Sequence, residues 1–590
     1  MFRRRAAQLL AVALIVGGLG RLAARAGAPP PPTPPTAAAG SAQAAAPAAP
    51  AAAPPAGVNS GLQPPDGHWL VDKEGRRYFL AKLKKFEGRF VRMDEHHIRA
   101  AWGVTYEIAK EDKDYYYYRV DEINPGAHGP NPLPKPPTAE ELAASAASYK
   151  ADTLESHRLS FVDFGHGLPT SGQWRHGFDI ADMNGDGHLD IVHGPARKTL
   201  GYPVIFLGDG KGNWKRWTAA KFPDFPYDYG DAKVADLKGD GHPGIVLGMH
   251  LRGLTALAGD GKGNFSNWNQ GLDFALPGKN AGISGFSSRA IAVVDWNHDG
   301  RPDILASGEG PRMTASGARV PGGPAGGAAD GPVLYLNQGD GTWKRKDQGS
   351  SADQGFGDGI TIGDFNGDGR PDFATASGVF DFDKLVHLQR ADGGWDDVEL
   401  DVRRYAYVGA VAAGDFDHDG RSDLAVGYVS FELGVWRHGI DIFYSRPGGK
   451  WERRTLIASE SKDNVTALGV GDLDGDGQLD LVALTSVGEV WVFLGDGKGF
   501  FTRDVPGIPS YAGGCWGYHV QLADLDRDGK DEIVASFGGE SDAMNAPTSC
   551  PTGGGIKAWK AVPATDRRGS RQDGGGGGAR AAGSRRPAGP

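Results

Sequence analysis

Two cysteines in 590 residues, Cys515 and Cys550, exclude a disulfide framework and any cysteine-rich metal cluster. They leave two alternatives, a single bridge in an oxidising compartment or a pair of buried thiols. The chain has no G-x-S-x-G elbow, no H-E-x-x-H pair, no Walker loop and no persuasive cysteine nucleophile. Their absence weighs against the hydrolase and nucleotide-hydrolysing classes that carry short signatures. No basic helix or stripe stands out from a net charge of −10, so nucleic acid is not the expected partner. The one long apolar run, Leu9 to Leu19, is too short and too glycine-rich for a comfortable membrane span.

What the chain has instead is one acidic loop, written seven times. The copies read DMNGDGHLD from Asp182, DLKGDGHPG from Asp236, DWNHDGRPD from Asp295, DFNGDGRPD from Asp364, DFDHDGRSD from Asp415, DLDGDGQLD from Asp472 and DLDRDGKDE from Asp524. Successive starts lie 51 to 69 residues apart, a period at which repeats mean solenoids, propellers or arrays.

Oxygen side chains at loop positions 1, 3, 5 and 9, a backbone carbonyl at 7 and a turn-permitting glycine at 6 make an oxygen cage for a hard cation, and calcium is the expected ion. The expected ligands of the first site are Asp182, Asn184, Asp186, the carbonyl of His188, and Asp190. The third and fourth loops offer Asp295, Asn297, Asp299, Arg301 (carbonyl) and Asp303, then Asp364, Asn366, Asp368, Arg370 (carbonyl) and Asp372. The fifth offers Asp415, Asp417, Asp419, Arg421 (carbonyl) and Asp423. The last two offer Asp472, Asp474, Asp476, Gln478 (carbonyl) and Asp480, then Asp524, Asp526, Asp528, Lys530 (carbonyl) and Glu532. An EF-hand would need a glutamate at position 12 and flanking helices. Position 12 is His193, Ala306, Thr375, Val426, Ala483 or Ala535, and β-like runs such as DILAS and DLVAL follow, so these are strand-to-strand turns.

A metal-free Asp/Gly turn explains one such loop. Six of them concentrate 21 carboxylates in tight turns, a repulsion that asks for counter-ions. The second copy departs, with Lys238 at position 3 and Gly244 at position 9, and its ammonium is expected to stand where the cation would. The expectation is therefore about six Ca²⁺. Setting aside the five arginines ahead of residue 27, the rest of the chain carries −15, most of which six divalent ions would offset. The acidity is no evidence for a cationic partner.

Within each repeat one strand leads into the acidic loop, an apolar strand follows it, a third strand ends in a glycine turn such as LGDGKGNW or LNQGDGTW, and a more polar strand closes the unit. Four strands in 50 to 60 residues make one propeller blade, and 92 glycines suit an all-β fold rich in turns. These D-x-[DN]-x-D-G-x-x-[DE] turns resemble FG-GAP/VCBS repeats, the units of integrin α-subunit propellers and of many exported bacterial proteins. The resemblance covers about residues 160–562 and implies a calcium-binding, seven-bladed β-propeller. The last repeat lacks a fourth strand, and SFVDFGHGLP from Ser160 is expected to supply it, pairing into that blade and removing two bare sheet edges.

Ahead of the repeats, Arg3 to Arg5, the apolar run and small residues near Ala26 read as a cleavable signal peptide over 1–28. An Ala/Pro-rich disordered linker is expected over 29–64 and a small β-rich module over 65–125. A Pro-rich linker with a short helix, capped by Thr138 and Glu141, is expected over 126–159, the propeller over 160–562 and a disordered Gly/Arg-rich tail over 563–590. A cut after residue 150 is expected to spare the ring. Tyr115 to Tyr118 are read either as a binding face or as the alternating faces of a strand; His96 and His97, adjacent on a strand, point opposite ways and are not expected to share a metal. Export, to periplasm, cell surface or medium, fits weak calcium sites that fill only at millimolar calcium.

In the resembling propellers, ligands meet the face opposite the calcium turns, formed by segments before the first strand and after the second. That face maps to Trp174, Arg175, His176, Tyr229, His250, Arg289, Tyr407, Trp516, Tyr518 and His519, with Arg197, Lys198, Arg252 and Arg312 beside them. Aromatic and basic groups there suit a carbohydrate, a polyanion or a protein; as loop residues they also stack on one another around a channel mouth. The favoured reading is a monomeric, non-catalytic recognition or adhesion module. The alternative is a propeller-scaffold enzyme of the lyase or dehydratase type, in which a His, Tyr or Lys at the channel mouth serves as base, since such acid/base pairs need no short motif.

Overall fold

The computed structural model describes residues 70–564, apart from 72–76, 86–89, 101–104, 122–137, 152, 198–200, 251, 275–287, 309–331, 347–356, 358, 379–381, 404, 434, 462, 509–514, 540–549 and 551–553. The expected signal segment, the 29–64 linker and the tail beyond 564 lie outside the described residues. The fold is all-β: one α-helix, Ala139–Ser148, accompanies the strands among the described residues. No described helix is long and apolar enough to cross a membrane.

The first sheet has six antiparallel strands within residues 70–121. Tyrosines 115 to 118 obey the two-residue period of a strand. Tyr116 and Tyr118 pack against the cluster of Ile98, Tyr106 and Ile108, while the Tyr117 hydroxyl turns to Asp112 at 2.6 Å. His97 binds Asp94 through Nδ1 at 2.7 Å while His96 is exposed, so the two do not converge.

Seven sheets follow in chain order, over residues 178–216, 230–267, 290–346, 360–398, 405–459, 465–508 and 516–563. Each is built from successive antiparallel strands, and in every one the acidic loop joins the first strand to the second. The reason is in the sequence: position 9 of each loop opens a run such as DILAS or DLVALT that is buried along its whole length. Neighbouring sheets interlock through polar groups at the ends of their third strands. Asn337 Nδ2 donates to the Leu237 carbonyl at 2.9 Å and Gln389 Nε2 to the Trp296 carbonyl at 2.7 Å, each reaching into the loop of the preceding sheet. First strands lie beside first strands, and that of the seventh sheet lies beside that of the first.

The fourth strand expected for the last repeat is present. Leu159–Asp163 pairs antiparallel with Gly554–Pro563 and completes four strands in the seventh sheet. Leu154–Ser156 adds a fifth strand to the sixth sheet, parallel to Phe501–Ile508. Between them the buried Asp504 carboxylate accepts from Ser156 Oγ at 2.8 Å, Arg158 N at 2.6 Å and Leu159 N at 3.2 Å. Asp504→Ala strands three donors and is expected to lower stability by about 3 kcal/mol, read from the denaturation midpoint at unchanged m-value.

The helix is not a free spacer, which revises the expectation for a cut at 150. Its capping box forms, with Thr138 N donating to Glu141 at 2.7 Å and Glu141 N to Thr138 Oγ1 at 3.1 Å. Its far end docks on the fifth sheet. Ser145 Oγ donates to Glu432 at 2.9 Å, and the buried Tyr149 ring lies between the guanidiniums of Arg403 and Arg437, 4.1 and 4.6 Å from its centre. Residues 138–163 therefore lace the fifth, sixth and seventh sheets in succession. Cys515 and Cys550, both buried, form a disulfide within the last repeat.

Candidate metal centres and central cavity

Every acidic loop is folded by its own first aspartate. Asp364 accepts from Gly367 N and Asp368 N through one oxygen and from Gly369 N through the other, at 2.8 to 3.0 Å, and Asp182 and Asp472 repeat the pattern. The position-5 carboxylates Asp186, Asp299, Asp368, Asp419, Asp476 and Asp528 each accept the N–H of position 7, from His188, Arg301, Arg370, Arg421, Gln478 and Lys530. Asn184, Asn297 and Asn366 donate through Nδ2 to the position-5 carboxylates, each at 2.9 Å, while their Oδ1 atoms accept the position-5 N–H at 2.9 to 3.1 Å. The fourth position is left-handed, φ 55° to 63° even where the residue is His298, His418 or Arg527. Position 6 is left-handed too, which glycine alone adopts without strain.

Position 9 decides the electrostatics. Asp190, Asp303, Asp372, Asp423, Asp480 and Glu532 are all at most 1% exposed. In the first five, one oxygen accepts the N–H of position 2 and the other an N–H at the end of the third strand, as Asp190 does from Met183 and Gly208. Burial, with like charges at the other loop positions, pushes Asp190, Asp372, Asp423, Asp480 and Glu532 up to about 7 and Asp303 up to about 6. A divalent cation removes that penalty. In three loops, Asp415/Asp417/Asp423, Asp472/Asp474/Asp480 and Asp524/Asp526/Glu532, a carboxylate oxygen from each residue lies within 4.8 Å of the others, a set that can hold a metal ion. The donors are oxygen only, which fits a hard cation.

The second loop behaves differently. Lys238 Nζ binds Asp240 at 2.6 Å, and a Cβ at Gly244 would stand 2.6 Å from the Leu257 carbonyl, so no acid fits at its position 9.

Residues within or just ahead of the first strands of the seven sheets line a central cavity of about 460 Å³. Of the ten residues expected at that face, Arg175, His176, Arg289, Tyr407, Trp516, Tyr518 and His519 line it. Trp174, Tyr229 and His250 do not; they form the layer behind. The buried Trp174 packs on His193 and Phe206, while Tyr229 stacks on His176 with ring centres 5.5 Å apart and meets His250 at 4.8 Å. Arg197 lies over Tyr229 at 5.5 Å and Arg252 is half-buried; Lys198 and Arg312 lie outside the described residues.

His176 is the hub, in a left-handed conformation (φ 67°). Its Nε2 faces Arg289 Nη1 at 3.2 Å, and burial beside Arg289 holds its pKa well below the ordinary histidine value. His519 is likewise held neutral by burial, and His250 is lowered to about 3. The charge in the cavity therefore comes from Arg175, Arg289 and Lys233 against the single carboxylate of Asp231. Asp231 and Lys233, paired at 3.4 Å, escaped the sequence reading because they sit in an ordinary strand, GDAKVA. The signal beside them is Gly177, where a Cβ would stand 1.7 Å from Asp231 Oδ1.

Against known proteins, the FG-GAP-like repeat family matches residues 236–306, 325–375 and 472–535. The chain carries FG-GAP-like repeats. The matched FG-GAP stretches contain the second, third, fourth, sixth and seventh acidic loops. No curated protein matches the chain. Two solved structures are similar to this chain, "Crystal structure of BBS1N in complex with ARL6DN, soaked with lead" and the same complex soaked with mercury. Both are 12% identical, with TM-scores of 0.38 and 0.37, covering 70% and 69% of this chain and 97% and 98% of theirs.

Proposed function

We propose that this FG-GAP repeat protein is an exported, calcium-braced recognition module that holds an acidic carbohydrate or protein ligand at its central cavity. The observation that carries the reading is the cavity itself, where two guanidiniums and an ammonium face one carboxylate beside the Trp516 and Tyr518 rings, stacked 6.1 Å apart. Aromatic faces take the flat apolar side of a sugar or side chain, and guanidiniums take a carboxylate or sulfate. Calcium is the hard, oxygen-seeking cation suited to loops that present carboxylate, amide and backbone oxygens. In this reading the seven sheets are blades of one closed ring, supported by the pairing of Leu159–Asp163 into the last sheet and the adjacency of first and seventh. The leading segment directs export, the 29–64 linker spaces the folded part, and the 65–125 module is a separate accessory sheet.

Binding of acidic and neutral oligosaccharides and peptides, with product analysis of whatever binds, tests the reading. Arg289→Ala is expected to weaken an acidic ligand about tenfold to a hundredfold, the cost of one charge-assisted hydrogen bond, with little change in melting temperature. Equal affinity for neutral ligands, or an unchanged affinity in the variant, removes the cavity from the account. Product formation replaces it with the lyase or dehydratase alternative.

A further inference from the structure

The seventh acidic loop differs from its siblings in two linked ways. Pairing register aligns the third strands of all seven sheets on loop position 10: Ile191 faces Phe206, Ile245 Leu257, Ile304 Tyr335, Phe373 His387, Leu424 Phe443, Leu481 Phe493 and Ile533 Trp559. The next residue is Leu207, Ala258, Leu336, Leu388, Tyr444 or Leu494 in six sheets and Lys560 in the seventh. The seventh loop is also the only one whose position 9 is glutamate.

The two departures meet. Lys560 Nζ binds Asp526, lies 2.7 Å from Asp528 Oδ2 and 3.2 Å from Glu532 Oε1, and is about one-fifth exposed. Glu532 Oε2 still accepts the Leu525 N–H at 2.8 Å, as position 9 does elsewhere. Its longer side chain turns the other oxygen toward the ammonium, where the aspartates of the first, third, fourth, fifth and sixth loops accept a third-strand N–H. The cations near other loops are placed differently. Arg158 reaches only Asp474 of the sixth, and Arg446 meets Asp417 and Asp419 of the fifth without touching position 9. Arg301, Arg370 and Arg421 fold onto the position-5 acid of their own loops.

We infer that the Lys560 ammonium takes the place of the metal ion in the seventh loop, so that this chain binds five calcium ions rather than six. The inference rests on the calcium reading of the other loops. An ammonium held by three carboxylates is a tethered counter-ion whose local concentration does not fall with the calcium outside. The sheet that receives the closing strand, where Lys560 pairs with Val162, is thus the one whose loop needs no metal.

Equilibrium dialysis of the full chain against Ca²⁺ tests this. The expected result is five ions for the wild type, six for Lys560→Met, and still five for Lys238→Met, because Gly244 leaves the second loop without its position-9 acid. Six ions in both the wild type and Lys560→Met overturn the inference and leave the calcium reading standing; no bound ion in either overturns both. A measurement without substitution guards against misfolding of the variant: amine labelling of the native chain, read by mass spectrometry, is expected to leave Lys560 equally protected in EDTA and in saturating calcium. A rise in labelling when calcium is added shows the lysine displaced and the inference wrong.

Discussion

Removing calcium from this protein is expected to lower its main melting transition by about 10 °C or more, because each occupied site contributes about 2.7 kcal/mol when calcium stands at a hundred times its Kd. The six-stranded sheet of residues 70–121 has no acidic loop of this kind and is expected to melt unchanged. The size of the calcium effect depends on pH, with a sign set by the position-9 acids. Their folded pKa, about 6 to 7, lies above the ordinary carboxylate value, so without metal the folded chain keeps protons that the unfolded chain has lost between about pH 4 and pH 7. Protonation thus relieves the metal-free protein at low pH, and that relief disappears as pH rises through 7. The buried neutral histidines His176, His193, His250 and His519 act in the opposite direction, since below about pH 6.5 the unfolded chain takes up their protons. They contribute with and without calcium and cancel in the difference. The calcium-induced rise in melting temperature is therefore expected to be large at pH 7.5 and much smaller at pH 5.5. A rise independent of pH would separate the buried carboxylates from the metal, and no rise at all would make the loops plain turns.

Cutting the chain ahead of its repeats is expected to act in steps rather than at one point. A chain beginning at residue 138 keeps the helix and both added strands and should melt like the intact repeat region. Beginning at 151 removes Tyr149 and Ser145 and uncovers Arg403 and Arg437 on the fifth sheet, at a cost of about 3 kcal/mol by analogy with truncating a buried aromatic side chain. Beginning at 171 also strips the donors from Asp504 and leaves Gly554–Pro563 as a bare edge. Loss of a cooperative transition and aggregation are expected there, since an unpaired edge strand is a template for further pairing. Size-exclusion chromatography and thermal melting of the three truncations provide the comparison. Equal behaviour of the last two would show that the seventh sheet is stable without the 159–163 strand.

The acidic loops were legible because their chemistry is local. Nine consecutive residues contain the turn glycines, the aspartate that wraps the backbone and the acid that opens the next strand, so Asp182 to Asp190 and its siblings fold as written. The closing strand was legible for a related reason, a repeat short by one strand and a spare β-like segment at Ser160. The cavity was only half legible. The resemblance to FG-GAP propellers placed Arg175, His176, Arg289 and Tyr518 on one face, but only packing set Trp174, Tyr229 and His250 behind them and brought Asp231 and Lys233 into the lining.

The sequence by itself determined an all-β repeat architecture, the position of every acidic loop and the departure of the second from the shared pattern, because each depends on residues within one turn of one another. Tertiary structure alone decided which distant groups reach those loops and which fasten the leading segment to the sheets. Lys560 stands 28 residues beyond Glu532 and Asp504 some 350 beyond Ser156, and no local pattern relates such partners; they meet only because strand register and sheet order carry one to the other. Tyr149 is the same case. In sequence it ends a short alanine-rich helix, and the two guanidiniums that make it a fastener come from the fifth sheet, more than 250 residues away.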